Sequence, residues 1–227
     1  MFIWTIVIPI YNDGPALKIL LDEIEKLGFT NGLFLIVDNG STDNKIRVID
    51  FEKYTNINYL RVENNLGFGG GIKHGLKHTE TKWVGWMPGN LKVHPSELLK
   101  ILPLLEGGKY DFVKSKRIGR DTVSYIKTFF AGMIQTVMLR KNMLDTGGTP
   151  TFINRRYLEY LLFSPNDYLF ESYVLYIAHK LKLSTVRPKI NYGVRIYGTS
   201  HWQRGIYSEV SLMIKIYKNT KKWRRDA

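Results

Sequence analysis

The stretch from Ile3 to Val37, IWTIVIPIYNDGPALKILLDEIEKLGFTNGLFLIV, decides the fold class. It opens on an apolar, β-branched run, Ile3–Ile10, and crosses a polar loop. It then places Ala16, Leu17, Leu20, Leu21, Ile24 and Leu27 at helical spacing before a second apolar run, Leu33–Val37. Strand, one-faced helix and strand in that order make a βαβ unit, which calls for a parallel sheet. The alternation continues outward: strands at Ile57–Val62 and Trp83–Met87, with helical spacing at Ile46–Phe51 and Ile72–His78. The expected architecture is α/β, a mostly parallel central sheet of Rossmann-like type with helices on both faces, in a single domain. The apolar start reads as a buried first strand and not as a signal peptide, since it lacks a basic leader and a cleavage site.

Composition narrows the class without naming a function. The 227 residues are 44% hydrophobic and 23% charged, as in ordinary globular proteins. No uninterrupted apolar stretch reaches the roughly 18 residues of a membrane-spanning helix. There are no cysteines, so disulfides and thiolate metal sites are excluded, which fits a cytoplasmic location. The net charge of +13 is unevenly spread: residues 1–113 carry 12 Lys+Arg against 13 Asp+Glu, and residues 114–227 carry 21 against 7. A basic second half favours anionic partners such as phosphorylated substrates or anionic lipid headgroups. Nucleic acid would also suit the charge, but no nucleic-acid recognition motif is visible, and none is expected as a partner.

In open α/β sheets, ligands sit beyond the carboxyl ends of the strands, so the loops that follow the strands carry the chemistry. Asp38 and Asn39 close the second strand and can accept hydrogen bonds from a base or ribose; Ser41-Thr-Asp43 is expected to cap a following helix. The glycines at 67–71 read either as an anion cradle or as close packing at a helix start. After the fourth strand comes Pro88-Gly-Asn-Leu-Lys92, where hard-cation chemistry would call for carboxylates. The residues there are one amide, Asn90, and one ammonium, Lys92, which can face a phosphate directly but cannot ligate a metal while protonated.

In the second half a strand at Tyr110–Val113 runs into the basic segment Lys114, Lys116, Arg117 and Arg120. With Arg195 these are phosphate-ligand candidates, because guanidinium groups pair bidentately with phosphate oxygens; Lys114 and Lys116 read equally as a solvated charge run. Helices are expected at Thr122–Arg140, Arg155–Leu162 and Asp167–Leu183, and a strand at Ser184–Tyr192. Residues 204–227 form a basic amphipathic helix and tail with Ile206, Val210, Met213, Ile214 and Tyr217 on one face. That face suits an anionic membrane surface or the chain's own domain over residues 1–203.

Thr5-Ile-Val-Ile-Pro-Ile-Tyr-Asn12, Val37-Asp-Asn-Gly-Ser-Thr-Asp43, Asn64-Asn-Leu-Gly67, Asp145-Thr-Gly147, Asn154-Arg-Arg-Tyr-Leu158 and Arg195-x-x-Gly-Thr-Ser200 together resemble the family 2 inverting glycosyltransferases of GT-A fold. The second-half motifs are similar to the polyprenyl (dolichyl) phosphate mannose synthase branch. The resemblance implies a UDP- or GDP-linked sugar donor, held by Pro9, Tyr11, Asp13, Asp38 and Asn39. It also implies a polyprenyl phosphate or glycan acceptor, with phosphate ligands on Arg117, Arg120, Arg195 and Ser200. It implies Mg2+ or Mn2+ at an Asp-x-Asp motif, but that motif falls on Pro88-Gly89-Asn90 and a further ligand falls on Lys92. Asn90 is then the one weak metal candidate, and Lys92 takes the cation's place. A hydroxyl acceptor would need a general base, for which Asp145 and Glu171 are the candidates, whereas a phosphate acceptor would not. The altered motif also admits a catalytically silent relative that binds nucleotide or lipid phosphate, or supports a partner transferase.

Overall fold

The computed structural model describes residues 2–193 and 206–225, with side chains of the last segment from residue 211 onward. Strand β1 (Trp4–Ile10) is almost wholly buried, as expected of a parallel strand covered on both faces. Helix α1 (Gly14–Leu27) begins with Pro15 in its first turn and stops at Gly28, which takes the left-handed conformation (φ 60°) that favours glycine. Strands β2 (Gly32–Asn39) and β3 (Ile57–Val62) extend the sheet on one side of β1, and β4 (Trp83–Trp86) lies on the other, all parallel. The chain therefore reverses its direction of travel across the sheet between β1 and β4. That break is the switch point where α/β sheets open a crevice.

Side-chain parity divides β1 between two cores. Ile6, Ile8 and Ile10 pack with Leu17, Leu20 and Leu21 of α1. Val7 packs on the opposite face with Ile72 and Leu76 of α2 (Phe68–Leu76) and Val174 of a later helix. The expected helix at Ile46–Phe51 is absent; the segment is a series of turns, with Arg47 N–H donating to Asn44 O (3.1 Å) and Ile49 N–H to Ile46 O (3.1 Å). Ile46 and Ile49 are buried all the same, so an i, i+3 apolar pair here served consecutive turns and not a helix. Ser41-Thr-Asp43 consequently caps nothing. Instead, Asn12 Oδ1 accepts from the Thr42 N–H (2.8 Å) and the Asp43 N–H (3.3 Å), while Ser41 Oγ accepts from the Asn12 N–H (2.9 Å). The loops after β1 and β2 are thereby tied together.

After β4, a 3-10 turn (Pro95–Lys100) and α3 (Leu102–Glu106) lead to β5 (Phe112–Lys114). Lys116–Ile118, expected as part of a basic loop, forms β6; α4 (Thr122–Leu139) follows, capped by Asp121 accepting from the Ser124 N–H (2.8 Å). The sequence patterns do not show β7 (Thr151–Asn154), which inserts antiparallel between β4 and β5. Then come α5 (Leu158–Leu162), α6 (Leu169–Lys180), β8 (Thr185–Val186), β9 (Lys189–Asn191) and α7 (Ile206–Arg225). The single strand expected at Ser184–Tyr192 is split around Arg187-Pro188: β8 joins β5, and β9 pairs with β6 in a small second sheet. The main sheet runs β3-β2-β1-β4-β7-β5-β8.

Helix α7 packs on the chain's own domain through Ile216, Thr220 and Trp223, with the Trp223 ring 5.4 Å from Tyr173 and stacked on Tyr176 at 6.1 Å. Tyr176 OH also donates to Trp223 O (3.0 Å). Of the apolar face expected on this helix, Ile214 and Tyr217 are exposed instead.

Candidate functional site

A cavity of about 610 Å³ opens at the switch point, within the size range of small-molecule sites. Pro9, Tyr11 and Asp13 come from the β1 loop, Asn39 from the end of β2, and Asn90 and Lys92 from the loop after β4. Antiparallel β7 brings the preceding loop, with Thr146, Gly147 and Thr149, to the same end of the sheet. Arg117 of β6 and Glu171 of α6 also line it, while Thr128, Ala131 and Gln135 of α4 and Leu212 and Ile216 of α7 form a wall.

Asn39 is fixed by Nδ2 donating to Asn65 Oδ1 (3.2 Å) and Gly67 O (3.0 Å) and by Oδ1 accepting from the Leu66 N–H (3.1 Å). Asp38, its neighbour, does not line the cavity. It is fully buried, and its carboxylate accepts from the Ser41 N–H (2.9 Å), the Tyr59 hydroxyl (3.0 Å) and the Arg61 guanidinium. Those contacts hold the root of the loop in place.

The β4 loop tests the fit of a divalent metal. Asn90 Oδ1 accepts from the Lys92 N–H (3.2 Å), Leu91 has φ 57°, and Lys92 O accepts from the Gly193 N–H (2.8 Å). A methyl group on Gly89 would stand 2.0 Å from Ile10 Cδ1, so the end of that side chain would have to turn aside to admit one. An amide turned onto its own backbone beside an ammonium does not make a hard-cation site. Among the described residues no group of three or more His, Asp and Glu side chains is placed to hold a metal ion.

Arg117 is held from two sides. Its backbone N–H and Nε donate to Asp145 (2.8 and 2.6 Å), Nη2 lies 2.5 Å from the same carboxylate, and the guanidinium lies 5.4 Å from the centre of the Tyr192 ring. Burial would push the Asp145 carboxyl up, but Arg117 by charge and hydrogen bonds, with the charge of Arg187, holds it below the usual carboxylate range. Asp145 itself does not line the cavity, and a carboxylate so acidic and so committed is a poor general base. Arg120 is not a lining residue either: its guanidinium donates to Thr128 Oγ1 (2.8 Å) and Ser124 O (2.7 Å) in the first turns of α4. Arg195 and Ser200 lie outside the described residues.

Glu171, the other general-base candidate, is buried. Oε1 accepts from Trp86 Nε1 (2.7 Å) and Oε2 from Lys114 Nζ (2.7 Å). Lys114, expected on a phosphate or in solvent, is fully buried and also reaches Gly148 O (3.2 Å). Burial pushes its ammonium pKa down and Glu171 pulls the other way. Both carboxylate oxygens of Glu171 are thus engaged within the protein at the cavity edge. The wall from α4 was not foreseen, although Thr128, Ala131, Gly132 and Gln135 make a stripe of small and polar residues at helical spacing.

The model of glycosyl transferase family 2 matches residues 5–162. The chain is 24% identical over 207 residues to the undecaprenyl-phosphate 4-deoxy-4-formamido-L-arabinose transferase of Yersinia enterocolitica, covering 87% of this chain and 62% of that protein. A shorter stretch, 37% identical over 67 residues, is shared with an uncharacterized glycosyltransferase of Mycoplasma pneumoniae, covering 28% of this chain and 22% of that one. The chain thus spans less than two thirds of the length of either relative. Its fold is similar to that of glucosyl-3-phosphoglycerate synthase from Mycobacterium tuberculosis, solved with Mn2+, UDP and glucosyl-3-phosphoglycerate, with a TM-score of 0.71, 19% identity and coverage of 97% and 79%. That likeness is one of fold, and it agrees with the GT-A arrangement the motifs imply.

Proposed function

The chain belongs to glycosyl transferase family 2, and from that premise we propose that it moves a sugar, with inversion, from a UDP- or GDP-linked donor to a polyprenyl phosphate without a divalent metal. The observation that carries this reading is that, among the described residues, Lys92 and Arg117 are the lysine and arginine lining the cavity at the switch point. The donor's base and ribose fit the side made by Pro9, Tyr11, Asp13 and Asn39. Its diphosphate then faces Lys92, whose positive charge serves where the family's metal would.

In the reaction, an acceptor phosphate oxygen attacks the anomeric carbon from the face opposite the leaving group. A carbon–oxygen bond forms as the bond to the donor's β-phosphate breaks, and the nucleoside diphosphate departs with the electron pair. A phosphate dianion brings its own nucleophile, which matters because Glu171 and Asp145 are both engaged in ion pairs. The same fact argues against a glycan hydroxyl, which would need a base. The relative from Yersinia enterocolitica is by name an undecaprenyl-phosphate transferase, which supports the acceptor class.

The test is calorimetric titration with UDP and GDP, each with Mn2+ and with EDTA. One nucleotide should bind equally in both conditions. Lys92→Ala should weaken that nucleotide about tenfold or more, the worth of one hydrogen bond to a charged group, and leave the corresponding nucleoside unchanged. Binding only with Mn2+ would overturn the metal-free reading, and no binding of either nucleotide would overturn the donor site.

A further inference from the structure

The end of β9 and the two residues after it meet several parts of the site in succession. Ile190 and Asn191 stand in register with Arg117 and Ile118 of β6. Tyr192 donates its N–H to Ile118 O (2.9 Å), lines the cavity and lies against the Arg117 guanidinium. Gly193 donates its N–H to Lys92 O (2.8 Å). Asn191 is held by Glu97, in the 3-10 turn that follows the β4 loop. Its N–H donates to Glu97 Oε2 (3.2 Å) and its Nδ2 to Glu97 Oε1 (3.0 Å). Lys100 Nζ donates to the same carboxylate (2.6 Å), and Glu97 is only 7% exposed.

A pair of three-residue strands has little stability of its own, so β6 and β9 take their place from what they are tied to. Asp145 holds β6 through Arg117. On the β9 side the ties are Lys92 O and the Glu97 carboxylate, which belong to the β4 loop and the turn after it. Such ties matter more at a site without a metal. A divalent cation draws its ligands and a diphosphate together through short bonds of set length. A lysine is a point charge on a flexible four-carbon stem and imposes no such geometry. Where Lys92 faces the diphosphate, the fold itself must hold its backbone in place beforehand.

We propose that Glu97 is a positioning residue: through Asn191 and β9 it braces the β4 loop against β6, and so fixes Lys92 relative to Arg117 in the cavity wall. Fixing Lys92 for a diphosphate rests on the metal-free reading of the donor site, whereas the brace between the two segments does not.

The full chain carrying Glu97→Ala, and separately Asn191→Ala, is compared with wild type by amide hydrogen exchange and by calorimetry with UDP, GDP and their nucleosides. Both variants should speed exchange over residues 88–94 and 189–193 and leave β1 to β3 unchanged. Each should weaken the nucleoside diphosphate about fivefold or more, as expected for residues in one network, while the nucleoside binds as before. In a Lys92→Ala background either change should add less than about twofold, because the group being positioned is gone. Thermal melts identify a variant that has lost its fold. Asn191→Ala, at an exposed residue, leaves Glu97 and Lys100 in place and stands as the second readout. Wild-type exchange at both segments in folded variants would overturn the proposal. So would equal losses of nucleoside and nucleoside diphosphate, or an effect fully additive with Lys92→Ala. Nucleotide binding unchanged by Lys92→Ala would overturn the donor-site reading instead, and the exchange rates would still decide whether Glu97 is a brace.

Discussion

Asp145 sits in a left-handed conformation, φ 53°, that asparagine tolerates nearly as well. Asp145→Asn therefore keeps the turn and removes the charge that Arg117 and Arg187 face. Because the folded carboxyl titrates below its unfolded value, near 3.9, its stabilisation is complete above that pH and is lost as pH falls through the folded value. Urea midpoints measured from neutral to acid pH should fall for wild type in the lower range. Asp145→Asn should lower the midpoint at neutral pH and flatten the acid limb; an unchanged acid limb would mean that Asp145 contributes nothing there. What the sequence concealed at this scale was partnership. Asp38 and Asn39 look alike as adjacent polar residues closing β2. Asp38, however, stands in register opposite Arg61, and that pairing exists only once β2 and β3 are aligned. Lys114 looked like its neighbours in a basic run until Glu171, far along the chain, supplied its counter-charge.

Helix α2 shows how an element can oppose its own propensity. In an isolated helix Gly75→Ala would stabilise by about 1 kcal/mol. Here the added methyl would stand 2.5 Å from Val7 Cγ1 and 2.9 Å from Val37 Cγ2, on β1 and β2. Overpacking of that kind costs about 1–3 kcal/mol, so the urea midpoint of Gly75→Ala should fall. A rise would show that β1 and β2 give way. The same close approach explains why the parallel half was legible: buried strands and one-faced helices impose strict periods of two and 3.6 on many residues. Strand β7 imposes such a period on only Thr151–Asn154, too few residues to distinguish it from a turn. The expected helix at Ile46–Phe51 failed for the related reason that two buried isoleucines fit several local structures.

Across the whole molecule, Glu171 joins β4 through Trp86 and β5 through Lys114 to the helix layer, spanning both halves of the sheet. Glu171→Ala should destabilise the protein by about 3–5 kcal/mol, because it leaves a buried ammonium without its counter-ion. Glu171→Ala with Lys114→Met should recover much of that loss in urea unfolding; no recovery would mean that the charge pair is not the cause. The cavity's near wall could be read from the loops after β1, β2 and β4, whereas its far wall required knowing that β7 runs backward. That reversal also dictates an order of events as the chain is made. Strands β1 to β4 can assemble as soon as they leave the ribosome, but the outer edge of β4, with its two tryptophans, has no hydrogen-bonding neighbour until Thr151–Asn154 has been synthesised. For the whole of that interval the nascent protein displays an unsatisfied apolar strand edge, the feature by which chaperones and aggregates alike capture newborn chains.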